Sequence, residues 1–193
     1  MILSVVLYPD PVLRAKGRPV THITGEIRTL AANLLETMRE AHGIGLAAHQ
    51  VGVPVQLAVV DVSHDEECIT YCRVNGEPKK LAEICPLIFF NPKIELGKAK
   101  VTAEEGCLSF PDLRENIRRA DALKATLTLL DGSTMVLETD GLLSRAIQHE
   151  TDHLNGVLFI DRMSAATKLG LKRKLRELMP EWEDKRKGAA PAG

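Results

Sequence analysis

The chain reads as an α+β fold, because its helical and strand patterns are segregated along the sequence and do not alternate as a parallel α/β sheet requires. Two further observations agree. Asn75-Gly76 and Asp131-Gly132 are hairpin signals that join β-branched runs into antiparallel pairs. Three apolar patterns of helical spacing, near residues 24–43, 140–156 and 164–180, lie outside those runs.

The elements follow in order. Ile2 to Leu7 reads as a first strand, and Tyr8-Pro9-Asp10-Pro11 as the turn that ends it. Thr24 caps a helix carrying Ile27, Leu30, Leu34 and Met38, with Gly43 as its stop. Gly43 to Gln50 is a glycine-containing loop. Val55 to Val62, Ile69 to Val74, Leu87 to Asn91, Lys98 to Ser109, Ala122 to Leu130 and Ser133 to Thr139 read as strands. A second helix starts with Asp140 as its cap, carries Leu142, Ala146, His149 and His153 on one face, and ends at Gly156. The third starts near Ser164, carries Leu171, Leu175 and Leu178, and ends around Met179-Pro180.

With 193 residues the chain suits one core and is short for two. Residues 1–180 are read as a single domain, and 181–193 as a charged, Ala/Gly/Pro-ending tail that is disordered from Lys187 onward. Apolar residues at 45% and charged residues at 26% are the balance of an ordinary globular protein. A net charge of -1 argues against a polyanion-binding surface, so DNA is not expected as a partner. No apolar run approaches the roughly 20 residues that cross a bilayer, and the N-terminus lacks a signal peptide's basic start. Cys68, Cys72, Cys85 and Cys107 are not needed as disulfides in a chain of this apolar content, which points to a reducing, cytoplasmic compartment.

The chemistry concentrates in Gln148-His149-Glu150-Thr151-Asp152-His153. On a helix, histidines four residues apart project from one face and can share one metal ion. Glu150, between them, can then accept a proton from the attacking water and later deliver it to the leaving group. Two helical histidines can also be plain core or surface residues. The acidic companions on an amphipathic helix favour the metal, because packing alone does not call for charge there. A catalytic site of this kind needs a third protein ligand. The metzincin extension fails, since Phe159 stands where its third histidine would fall. Cys107, after Gly106 and before Pro111, is a candidate, though by itself it reads first as a buried core cysteine.

Three segments in this order, Gly43-Ile44-Gly45-Leu46-Ala47-Ala48-His49-Gln50, Glu105-Gly106-Cys107-Leu108-Ser109 and the His149 segment, resemble the signature motifs of the peptide deformylases. Tyr8-Pro9-Asp10-Pro11-Val12-Leu13-Arg14 resembles that family's start. The similarity runs from there through the third helix, and residues 64–86 match least. The resemblance implies antiparallel sheets wrapped around a central helix that bears the HExxH motif, with an N-terminal and a C-terminal helix beside it. It implies Cys107, His149 and His153 as metal ligands and Glu150 as general base and acid. It assigns the Gln50 side-chain amide and the Leu108 backbone N–H to the oxyanion, and Gly43, Ile44, Gly45, Glu105, Arg114, Leu142 and Ala146 to substrate binding. His49 falls at a variable position and is taken as a loop residue.

The implied cofactor is one divalent ion, Fe(II), with Zn, Ni or Co able to take its place. The implied reaction removes the formyl group from the N-terminal methionine of newly made polypeptides, in the cytoplasm. Ribosome docking near the exit tunnel through Lys168, Lys172, Arg173, Lys174 and Arg176 is a further expectation. Two rivals stay open on sequence: a zincin-like peptidase that does not use Cys107, and a metal-stabilised binding protein with no turnover.

Overall fold

The computed structural model describes residues 1–188, so the end of the expected tail, 189–193, lies outside the described residues. In chain order the elements are α1 (Gly25–Glu40), β1 (Gly45–Ala47), β2 (Leu57–Val60), β3 (Cys72–Val74), β4 (Glu77–Pro78), the short α2 (Leu81–Ile84), β5 (Leu87–Leu96), β6 (Lys100–Cys107), β7 (Phe110–Ala120), β8 (Leu123–Thr128), β9 (Thr134–Thr139), α3 (Gly141–Leu154) and α4 (Ala165–Gly188). Seven strands form one antiparallel sheet in the order β1-β2-β5-β8-β9-β3-β4, while β6 and β7 form a separate two-stranded ribbon. This is the α+β arrangement expected from the sequence.

Apolar side chains cover both faces of the large sheet near β2 and β5. Alternate residues of a strand point to opposite faces. Ala58, Val60 and Phe89 accordingly join Ile147 and Leu154 of α3, whereas Leu57, Val59 and Phe90 join Leu34 and Met38 of α1. The sheet is thus clasped between the two helices, and Leu57-Ala58-Val59-Val60 is apolar at every position because neither face meets water. From Leu143 to Leu154, α3 is buried on all sides. A third cluster gathers Leu7, Leu13, Phe110, Leu113, Ile117, Phe159 and Trp182 beneath β7 and α4.

Five expectations are corrected. The N-terminal segment is extended but makes no ladder; it is tied down by single bonds from Val6 N–H to the Gln50 carbonyl (2.7 Å) and from Tyr8 N–H to the Ser109 carbonyl (3.0 Å). β7 is an eleven-residue strand where none was expected. Thr24 caps α1 as predicted, accepting from Ile27 N–H, but the left-handed residue after the helix is His42 (φ 53°) and not Gly43. Asp140 precedes α3 without capping it; its carboxylate accepts from the N–H and hydroxyl of Thr70 and from Tyr71 N–H, which ties down the approach to β3.

The fifth concerns α4, which passes through Pro180 and continues to Gly188. A proline inside a helix costs about 3 kcal/mol. Trp182, two residues on, is 1% exposed and meets Phe110 edge-on at 5.9 Å between ring centroids. Burial of a tryptophan on the scale of roughly 3–5 kcal/mol offsets the cost and holds the helix on the body of the protein.

Candidate metal centre and catalytic cavity

His149 and His153 stand one turn apart on α3 with ring centroids 5.0 Å from each other. The β6–β7 ribbon brings the third residue over them. Its register slips after Gly106, and the chain reverses through Leu108-Ser109 between Cys107 and its partner Phe110. That reversal sets the Cys107 sulfur 3.3 Å from His153 Nε2. One ligand atom from each of Cys107, His149 and His153 lies within 4.8 Å of the others. Tetrahedral bonds of about 2.0–2.3 Å would need ligand atoms roughly 3.3–3.8 Å apart, a modest contraction.

Electrostatics favour a cation at the same point. His149 Nδ1 meets Glu105 Oε2 at 3.0 Å, which leaves Nε2 for an ion. Burial opposes protonation of His149, but its hydrogen bonds with Cys107 and Glu105 overcome that and bring it up to about 10. Burial first, then the charge of His149, holds His153 well below the usual histidine range, so it is a neutral imidazole ready to act as a ligand. The donor set and its surroundings fit a divalent ion.

Glu105 is the hub of a buried ion network. Its Oε1 accepts from Arg119 Nε and from Arg145, both at 2.6 Å, and its Oε2 from the other arm of Arg119 at 3.0 Å. Arg119 reaches on to Asp152 (2.7 Å), which also holds Arg162 (2.6 Å). Burial alone would raise the Glu105 carboxyl, yet hydrogen bonds with His149 and Arg119 bring it down to about 2. Glu105 was expected to bind substrate. It does reach the cavity wall, while its oxygens accept from Arg119 and Arg145 and meet His149 Nδ1, contacts that fix the orientation of that ring.

Glu150 is 4% exposed, and its Oε2 has no hydrogen-bond partner among the described residues. Burial pushes its carboxyl up to about 7, against the pull of the neighbouring cations, the range of a group that exchanges a proton at neutral pH. The β1 backbone presses on it: a Cβ added to Gly45 would lie 2.9 Å from Glu150 Cδ and 3.1 Å from Cγ. A larger residue there would push Glu150 aside. Gln50 is fixed at both ends of its amide. Oε1 accepts from Ala47 N–H (2.9 Å), and Nε2 therefore faces Cys107 Sγ (3.4 Å) and Ser109 Oγ (3.3 Å).

These groups line a cavity of about 510 Å³ between β1, the ribbon and α3. Gly43, Ile44, Gly45, Glu105, Arg114, Leu142 and Ala146 all reach its wall, as do Gln50, Cys107, Leu108, His149 and Glu150. Arg114 is a rim residue, largely exposed and 3.5 Å from Glu104. His153 lies deeper, behind the lining. Sequence reasoning gave no role to Arg119, Arg145, Ser109 or Phe110; charged residues at the inward positions of a strand were the available sign of the first. His49 is fully buried in a 3-10 turn, kept neutral by burial, and packs where a side chain on Gly17 would have to go. Cys68, Cys72 and Cys85 are free thiols, and among the described residues only the Cys107 cluster can hold a metal ion.

Comparison with known proteins agrees with this geometry. The polypeptide deformylase family model matches residues 2–169. Peptide deformylase of Opitutus terrae is 45% identical over 180 residues, covering 92% of this chain and 93% of its own, and that of Methylacidiphilum infernorum is 42% identical over 178 residues with the same coverage. Among solved structures, peptide deformylase of Ehrlichia chaffeensis in complex with actinonin superposes with TM-score 0.76 at 30% identity, covering 91% of this chain and 97% of its own. The Thermotoga maritima enzyme superposes with TM-score 0.70 at 35% identity, covering 85% and 99%. With a half-buried thiol, two buried imidazoles and a carboxylate gathered at one site, and with relatives matched along nearly their whole length, the chain belongs to the peptide deformylase family, metallohydrolases that remove the N-formyl group from nascent polypeptides.

Proposed function

We propose that Cys107, His149 and His153 hold the ion, that Glu150 moves the proton, and that Gln50 Nε2 and the Leu108 N–H bind the oxyanion. One observation carries this reading: the sulfur and the two rings gather at one point, beside a cavity-lining buried carboxylate whose Oε2 has no hydrogen-bond partner among the described residues. The ion, when bound, supplies the positive charge that makes a water acidic and polarises the formyl oxygen. Glu150 takes the proton of the attacking water as the new C–O bond forms. It returns that proton to the amine nitrogen as the C–N bond breaks, so formate and a free amino terminus leave. Gln50, anchored through Oε1, and Leu108, in the ribbon's turn, face the oxygen on which charge develops, and the loss of one such donor costs about 3 kcal/mol.

The substrate is read as an extended strand. β1 ends the sheet order, so its outer edge, apart from the Ala47 N–H given to Gln50, can pair with a peptide main chain. Ile44, Leu142 and Ala146 offer an apolar wall for the methionine side chain. Fe(II) is the proposed working ion, with Zn, Ni or Co able to serve; a thiolate with two imidazoles suits all four. The catalytic unit is taken as residues 1–180, with Trp182 of α4 anchored on it, and the setting as the cytoplasm. Among the described residues no helix is long and apolar enough to cross a membrane. Lys168, Lys172 and Arg176 recur every fourth residue on α4 and form the proposed face toward the ribosome; charge reversal at Lys172 and Arg176 should abolish co-sedimentation with ribosomes.

Assay of formyl-Met-peptide hydrolysis tests the reading. Glu150→Gln should lower kcat by about 10²–10⁴ while the metal content stays the same. Unchanged turnover in that variant would remove Glu150 from the chemistry. Retention of full activity in Cys107→Ser would instead favour a zincin-like peptidase.

A further inference from the structure

A second hollow, of about 360 Å³, opens where Arg119, Asp152 and Arg162 end the Glu105 network, and it shares no lining residue with the catalytic cavity. The ribbon adds two cations to its wall. Lys100 of β6 is in register with Ala120 of β7, which makes Arg118 its diagonal neighbour on the same face. Both residues are exposed, and neither side chain has an ion-pair or hydrogen-bond partner among the described residues. Glu104, on the same face of the ribbon, already answers Arg114 at 3.5 Å. The one carboxylate in the wall, Asp152, is fully engaged: Oδ2 accepts from Arg119 Nη1 (2.7 Å) and Arg162 Nε (3.1 Å), and Oδ1 from Arg162 Nη2 (2.6 Å). Nη1 of Arg162 stays available. Four cations thus line the hollow with a single carboxylate, in a chain whose net charge is -1. Ile94 and the half-exposed Leu96, alternate residues on one face of β5, give the same wall an apolar part.

We propose that this hollow binds a small organic phosphate, its phosphate group held by Lys100, Arg118 and Arg162 and its apolar part resting on Ile94 and Leu96. Charge selects the class. A guanidinium offers planar, paired donors that match phosphate oxygens, and a dianion answers both unpartnered cations of the ribbon at once. A monocarboxylate would leave one of them unanswered. Size selects the organic molecule over the free ion, since 360 Å³ is in the range that holds a small ligand and is more than an inorganic phosphate fills. Leu96, 50% exposed, gains a cover only from a ligand that carries apolar surface.

Calorimetric titration of the metal-loaded full chain tests this, at fixed ionic strength and about pH 8, where a phosphate monoester is a dianion. The probes are phenyl phosphate, inorganic phosphate and phenol. Phenyl phosphate should bind saturably and about tenfold more tightly than inorganic phosphate, and phenol should give no measurable heat. The double variant Lys100→Gln, Arg118→Gln changes two exposed side chains outside the catalytic cavity. It should weaken phenyl phosphate about tenfold or more, with melting midpoint and formyl-Met-peptide turnover at wild-type values. Leu96→Ser should erase the preference for phenyl phosphate over the inorganic ion. Absence of saturable binding, or equal affinity of the wild type for the two phosphates, would overturn the proposal. Full affinity in the double variant would overturn it as well, by placing the anion at the metal centre. Binding of a single-stranded oligonucleotide but of neither small phosphate would replace it with a nucleic-acid surface.

Discussion

A glycine decides where the carboxylate proposed to move the proton sits. Gly43 and Gly45 were expected to let backbone approach the substrate, yet Gly45 meets Glu150 itself, and a methyl group there would collide with the carboxylate stem. Gly45→Ala should therefore lower kcat about 10²-fold, as displacement of a reacting group by an ångström does, while leaving the thermal midpoint within a few degrees. Measurement of kcat beside a melting curve checks this, and an unchanged kcat would show that Glu150 has room to move. At this scale the sequence was most legible. Helical spacing singles out His149, Glu150 and His153, and the motif resemblance singles out Cys107, Gln50 and Leu108; the fold brings Cys107 to the two histidines and sets Gln50, Leu108 and Glu150 on the wall of the same cavity. Arg119 and Arg145 are not singled out, because their partner Glu105 lies on another element and ion pairs across elements leave no periodic trace.

Among the elements, β7 was the one that sequence patterning hid, and the reason is physical. Leu113, Glu115, Ile117 and Arg119 do alternate as a half-buried strand should, but two of the four inward positions carry charge, and Pro111 and Asp112 blur the start. The charge at Arg119 is there to be buried against Glu105 and Asp152. Replacement of Arg119 by Met leaves two carboxylates with fewer cations in a site that water reaches poorly, and should cost about 3 kcal/mol in denaturant unfolding. A loss below 1 kcal/mol would mean that Arg145 and Arg162 compensate fully. α4 misled in the opposite direction. Pro180 signals a stop, and only the distant contact of Trp182 with Phe110 explains why the helix continues.

On the scale of the molecule, the fold class was legible because two hairpin turns and three amphipathic helices each fix their own neighbourhood. What could not be read was how the ribbon β6–β7, detached from the main sheet, lies over α3. That placement has no local code; it follows from the Cys107 reversal, the Glu105 network and the cluster around Phe110 acting together. The proposed chemistry depends on it, since it brings the Cys107 sulfur to His149 and His153. X-ray absorption of the metal-loaded protein measures this directly. One sulfur at about 2.3 Å and two imidazole nitrogens at about 2.0–2.1 Å are expected, with the sulfur shell lost in Cys107→Ser. A spectrum of nitrogen and oxygen ligands alone, identical in wild type and Cys107→Ser, would contradict it.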